Sequence, residues 1–155
     1  MLTKRVKFDR LSRFFGISRR CPAVVAEWRF PEINLPAEMR SFAEQLLHLA
    51  DANYGFASPA TGIKSPFAQR ELEKTADKSK SNVSRIVLAS YDFVIDNIKK
   101  MSEEQLDEAI KLFGSFDMTK RMALIKVFEH QVHHRGQTTV YLRLAGVKPP
   151  EEKLF

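Results

Sequence analysis

From residue 41 onward, apolar residues recur at the spacing of amphipathic helices. Phe42, Leu46, Leu49 and the side carrying Ala50 and Asn53 fall three or four positions apart, which predicts a helix from Ser41 to about Ala57. Ser41 and Glu44 have capping-box spacing, in which two side chains satisfy N–H groups that the first turn leaves open. Pro59, Gly62 and Pro66 then mark a long connection over 58–77, with a short helical piece expected at 66–73. Val83, Ile86, Val87, Ser90, Tyr91, Val94, Ile95 and Ile98 form the stripe of a second helix, from about Lys78 to Met101. Ser102 reads as a new cap, opening a short helix to Leu112 that Gly114 breaks. A last helix is expected from Thr119 to Ala145, capped by Thr119, ended by Gly146 and barred from continuing by Pro149. Its apolar residues lie on several sides, the pattern of a helix covered by several neighbours. No segment shows convincing period-two alternation and no repeat is evident, so the expected fold is all-α, a four-helix bundle with long crossover loops.

The first 37 residues read differently. Phe8, Leu11, Phe14 and Phe15 share one side of a short basic amphipathic stretch, which reads most simply as a surface helix docked on the bundle. An Arg-rich, acid-poor opening also has the look of a targeting or membrane-surface segment. Pro22, Pro31 and Pro36 make residues 21–37 an extended connector. The expected division is a basic segment and connector over 1–37 and a helical bundle over 38–155, one globular domain in all. A length of 155 residues suffices to bury a core without disulfides, and Cys21 is the single cysteine, which fits a reducing, cytoplasmic setting. No apolar run approaches the roughly 18 to 20 residues of a membrane-spanning helix.

The net charge of +6 invites a nucleic-acid reading, so its location matters. Lys4, Arg5, Lys7, Arg10, Arg13, Arg19 and Arg20 stand against Asp9 alone in residues 1–20, and charges in the rest of the chain cancel. The body of the protein is neutral, which argues against DNA or RNA as its main partner.

Candidate chemistry concentrates in the four histidines. His130, His133 and His134 fall within five residues on the last helix, and His48 lies mid-helix on another element. Positions i and i+4 project from one helix face, so His130 and His134 can present two imidazoles to one ion. His133 is the rival for the second position; the i,i+4 pair stacks more directly along the axis. A third ligand must come from elsewhere, and His48 is the one imidazole outside this segment. The plain alternative is a set of helix histidines making ordinary hydrogen bonds. Three histidines would leave a coordination position open, which suits a reactive site better than a structural one.

Two stretches carry a family resemblance. "HQVHHRGQTTVYLRLAGVKPP", His130 to Pro150, resembles the last helix of the DinB-like (DinB/YfiT) family, and "MRSFAEQLLHLADANYGF", Met39 to Phe56, resembles its helix bearing the first ligand histidine. The resemblance covers about residue 38 to residue 151, while residues 1–36 depart from the family pattern. It implies a four-helix bundle, a divalent-metal triad of His48, His130 and His134, and often a homodimer. His133, Arg135, Gly136 and Gln137 match the adjoining family block, where Gly136 would permit close helix approach and Arg135 could pair with a carboxylate. Relatives of this family include transferases and isomerases that use low-molecular-weight thiols.

The leading expectation is therefore a metal-dependent enzyme, with Zn or Ni, that transfers a small thiol to an electrophilic small-molecule substrate. A bound divalent cation deprotonates a coordinated thiol and so makes the nucleophile at neutral pH. The alternatives are a metal-dependent hydrolase and a metal-binding stress-response protein without catalysis. A hydrolase wants a general base, and Glu44 and Asp51 each lie about one turn from His48, although solvated helix carboxylates are the plainer reading of both. Asn53, Tyr54 and Tyr141 are candidate pocket residues, with core tyrosines as the plainer alternative.

Overall fold

The computed structural model describes residues 36–150. The expectations for the N-terminal amphipathic stretch, most of the connector and Cys21 lie outside the described residues. Among the described residues there are four helices: α1 (Phe42–Thr61), α2 (Lys80–Ile98), the single-turn α3 (Glu103–Leu106) and α4 (Lys120–Leu144). A 3-10 turn at Leu72–Lys74 and a hairpin of β1 (Ala109–Leu112) and β2 (Phe116–Thr119) complete the order. The architecture is mostly helical, as the apolar pattern requires.

The caps follow the sequence signals. Ser41 Oγ accepts from the Glu44 N–H at 3.3 Å, and Glu44 Oε2 accepts from the Ser41 N–H at 2.7 Å. Thr119 Oγ1 accepts from the Met122 N–H at 3.2 Å at the start of α4. Beyond its end, Gly146 takes a φ of +73°, a conformation that costs glycine little. α1 runs one turn past its expected end at Ala57. Pro59 fits within the final turn, and Gly62, at φ +74°, stops the helix by donating its N–H to the Ser58 carbonyl.

α1 is the central element, packing on α2 along one side and on α4 along another. Leu47, Ala50 and Tyr54 meet Val83 and Ile86 of α2, with Leu72 of the 3-10 turn closing the cluster. Leu49 and Ala57 meet Tyr91 and Val94 of α2 and Val127 of α4. Phe42 meets Tyr141 and Leu142 near the end of α4.

Three expectations are corrected. Ser102 to Leu112 is not one helix: α3 stops after one turn, and the chain turns into the antiparallel β1–β2 pair, Leu112 opposite Phe116 and Ala109 opposite Thr119. Phe113 and Gly114 both take positive φ, 51° and 71°, the geometry of a tight hairpin turn. Ile110, Leu112 and Met118 pack against Ala60 and Ala123, so the hairpin covers one end of the α1–α4 interface. The helical piece over 66–73 reduces to the turn at Leu72–Lys74. α4 is not covered on all sides by the described residues, since Met122, Ile125, Val132, Val140 and Leu144 stay exposed.

Leu47 has no exposed surface and fills the α1–α2 contact. Leu47→Ala should lower the unfolding free energy by about 2–5 kcal/mol in urea titration. A loss well under about 1 kcal/mol would mean that this contact is not the core.

Candidate metal centre

Packing of α1 on α4 brings three histidines together. His130 and His134, one turn apart, project from the face of α4 that meets α1, and His48 meets them from α1. The ring centroids lie 4.3 Å apart for His130–His134, 4.8 Å for His48–His134 and 5.1 Å for His48–His130. One nitrogen from each ring lies within 4.8 Å of the other two, an arrangement that could hold a metal ion. His130 Nε2 and His134 Nε2 are 3.1 Å apart, close to the roughly 3.3 Å that two nitrogens span on a tetrahedral ion with bonds of about 2.0–2.1 Å. His133 stays out of this cluster, exposed, with its Nε2 3.0 Å from Gln137 Nε2. His134 is buried and His130 half-buried.

Burial, with the neighbouring histidines and Arg40 adding to it, lowers the His130 and His134 pKa values to about 4. Both rings are therefore neutral at physiological pH, the form that ligates metals. His130 Nδ1 is buried without a partner among the described residues.

The other two rings are held from behind. His48 Nδ1 lies 2.5 Å from Glu73 Oε1. Glu73 also meets Arg40 at 3.5 Å and Arg70 at 3.8 Å. Burial works against its charge, but the His48 hydrogen bond and the charges of His48, Arg40 and Arg70 keep its carboxyl below the ordinary range. The 3-10 turn that carries Glu73 is anchored in its turn by Asp51, whose carboxylate accepts from the N–H groups of Leu72 (3.3 Å) and Glu73 (2.8 Å). On the other side, Gln45 Oε1 lies 2.8 Å from His134 Nδ1, and Gln45 Nε2 lies 3.4 Å from Tyr141 Oη.

Beside the three rings lies a cavity of about 590 Å³ whose lining includes Glu38, Arg40, His133, Gln137, Val140 and Tyr141. Among the described residues no fourth His, Cys, Asp or Glu joins the three-histidine group. The remaining candidates are accounted for. Glu44 is a cap residue, and Lys78 and Ser41 hold its carboxyl down to about 2. Asn53 donates to Ser90 Oγ at 3.0 Å, away from the cavity, and Tyr54 packs edge-on against Phe67 and at a tilt against Phe93. Gly136 meets no atom within 4 Å of an added Cβ, so the expectation of close helix approach there is not met among the described residues.

Sequence reading missed Glu73 and Gln45. Glu73 lies in a connection with no periodicity to flag it. Gln45 did leave a signal, since it shares the buried face of α1 with Phe42 and Leu49, where a polar residue needs a partner.

The lowered histidine pKa values set a pH dependence with a definite sign. Between about 4 and the ordinary 6.5, the unfolded chain binds protons that the folded chain refuses. Stability is therefore full above pH 6.5 and falls as the pH drops toward 4. The loss is on the order of a few kcal/mol for the pair. Urea midpoints of the metal-free protein should drop between about pH 7.5 and about pH 5. The drop should shrink in His130→Gln/His134→Gln, and an equally steep fall in that variant would refute the assignment.

Comparison with known proteins identifies the family and the fold. The model of the DinB family matches residues 29–154. The uncharacterized protein YjoA of Bacillus subtilis (strain 168) is 31% identical over 116 residues, covering 72% of this chain and 71% of YjoA. Among solved structures, a DinB-like protein from Bacillus cereus ATCC 10987 superposes with a TM-score of 0.78 at 18% identity, over 99% of this chain and 100% of that one. The DinB-like protein YjoA from Bacillus subtilis superposes with a TM-score of 0.67 at 18% identity, over 91% and 94% of the two chains. The structural likenesses speak to the fold. With the family model spanning most of its length, this chain belongs to the DinB family.

Proposed function

We propose that this protein is a metal-dependent enzyme that holds one divalent ion, Zn or Ni, on His48, His130 and His134 and activates a small thiol for transfer to an electrophilic small molecule. The observation that carries the reading is the open cavity beside three convergent imidazoles with no fourth protein ligand among the described residues. A site made for sequestration would gain from a closing ligand, which this group lacks.

The ion would supply one thing, a lowered pKa for a thiol in its open position. The protein's own groups do the rest. Glu73 orients His48, and Asp51 fixes the turn that carries Glu73. Arg40, Gln137 and His133 offer the cavity a cation and hydrogen-bonding groups with which to orient a polar substrate.

The thiol reading is preferred to hydrolysis because the nearby carboxylates are engaged. Glu44 caps α1 and binds Lys78, Asp51 accepts two backbone N–H groups, and Glu73 faces His48. A hydrolase would have to recruit Glu38, the exposed carboxylate in the cavity lining, as its general base. No helix among the described residues is long and apolar enough to cross a membrane, and a cytoplasmic homodimer belongs to the same proposal. The exposed apolar residues of α4 support the dimer.

Protein purified without a histidine tag should carry about one ion per chain by elemental analysis, and His130→Ala/His134→Ala should carry none. Loaded with Co(II), the protein should gain a sulfur-to-metal charge-transfer band on titration with a small thiol. No bound metal after soaking in zinc or nickel at neutral pH would overturn the metal reading. A loaded protein whose spectrum ignores thiols would overturn the thiol reading alone.

A further inference from the structure

Behind His134 runs a chain of buried hydrogen bonds whose direction is fixed at one end. The Arg40 backbone carbonyl can only accept, so Tyr141 gives it its single hydroxyl proton, at 2.6 Å. Tyr141 Oη is then left as an acceptor, and the Gln45 amide nitrogen donates to it at 3.4 Å. That orients the amide, turning its carbonyl oxygen toward His134 Nδ1 at 2.8 Å. A carbonyl oxygen cannot donate, so the proton of this contact belongs to Nδ1. A neutral imidazole carries one N–H, which leaves His134 Nε2 with a bare lone pair on the side of His48 and His130. Gln45, Tyr141 and His134 are 7%, 3% and 4% exposed, so water has little room to supply other partners.

We propose that Gln45, oriented by Tyr141, is a positioning residue that holds His134 as its Nδ1–H tautomer and thereby presents Nε2 as a metal donor. The inference rests on the metal reading above for its purpose, but the tautomer itself is a property of the metal-free chain. His48 is treated in the same way by a different group, the Glu73 carboxylate. His130 has no such support, because its Nδ1 is buried without a partner among the described residues. The site thus has two pre-oriented ligands and one whose ring orientation rests on packing. Gln45 orients His134 without adding charge, so the buried side of the site stays neutral where a carboxylate would need a counter-charge.

Imidazole nitrogen NMR of the metal-free, wild-type protein at neutral pH tests the tautomer directly. The expected spectrum has His134 protonated at Nδ1 and bare at Nε2; protonation at Nε2 would overturn the proposal. Zinc affinity, measured by competition with a chromophoric chelator, tests its consequence. Gln45→Met should weaken zinc binding roughly 10- to 100-fold and let the His134 tautomers mix. Tyr141→Phe, which keeps the Gln45 acceptor but removes what orients it, should shift both readouts in the direction of Gln45→Met but less. A folded Gln45→Met protein with wild-type zinc affinity and an unchanged tautomer would overturn the proposal. If the wild-type protein binds no zinc, the metal reading fails, and the wild-type tautomer still decides the role of Gln45.

Discussion

The packing of α1 against α2 and α4 puts polar groups where a helical bundle ordinarily puts aliphatic ones. Gln45, Asn53, Ser90, Gln131 and His134 are all buried, and a buried polar group destabilises the fold unless it finds a partner. Asn53 and Ser90 answer each other across α1 and α2. Gln45 and His134 do so across α1 and α4, with Tyr141 closing the chain onto the backbone before α1. These bonds fix the His134 ring and Glu73 fixes the His48 ring, while the His130 ring rests on packing, and the apolar clusters on either side hold the helices at the spacing the bonds need.

The same requirement explains the electrostatics. Two imidazoles set into a partly buried pocket lose their protons readily, and a neutral pair facing a third histidine is a donor set in search of a cation. One full carboxylate, Glu73, stands behind the cluster, held ionised by Arg40 and Arg70 as well as by His48. Arg40 is the junction of the two supporting arms: its guanidinium meets Glu73 and its carbonyl receives Tyr141. A residue that the sequence offers only as one more cation before a helix therefore ties both arms to one point of the chain.

Most of the helical framework was legible because it is local. Ser41, Ser102 and Thr119 cap the helices they introduce, and the i,i+4 spacing of His130 and His134 fixes their shared face whatever the rest of the chain does. The hairpin escaped because its turn is Phe113-Gly114 rather than Asn-Gly, and because four-residue strands give alternation too little length to stand out. Glu73 and Gln45 escaped for a different reason. Their partners lie 25 and 89 residues away, and although the place of Gln45 on the buried face of α1 calls for a partner, no pattern along the chain says which residue supplies it. The exposed apolar face of α4 shows the limit from the other side, since periodicity reports which residues are apolar and not what covers them.

The central claim is that three imidazoles from two helices act together on one ion. X-ray absorption at the metal edge of zinc-loaded protein, beside an anomalous difference map from a crystal of the same preparation, tests it most directly. The account predicts a single anomalous peak between His48, His130 and His134, with imidazole nitrogen donors at about 2.0–2.1 Å and one further light or sulfur donor. A peak elsewhere, or a shell in which fewer than three imidazoles contribute, would contradict it.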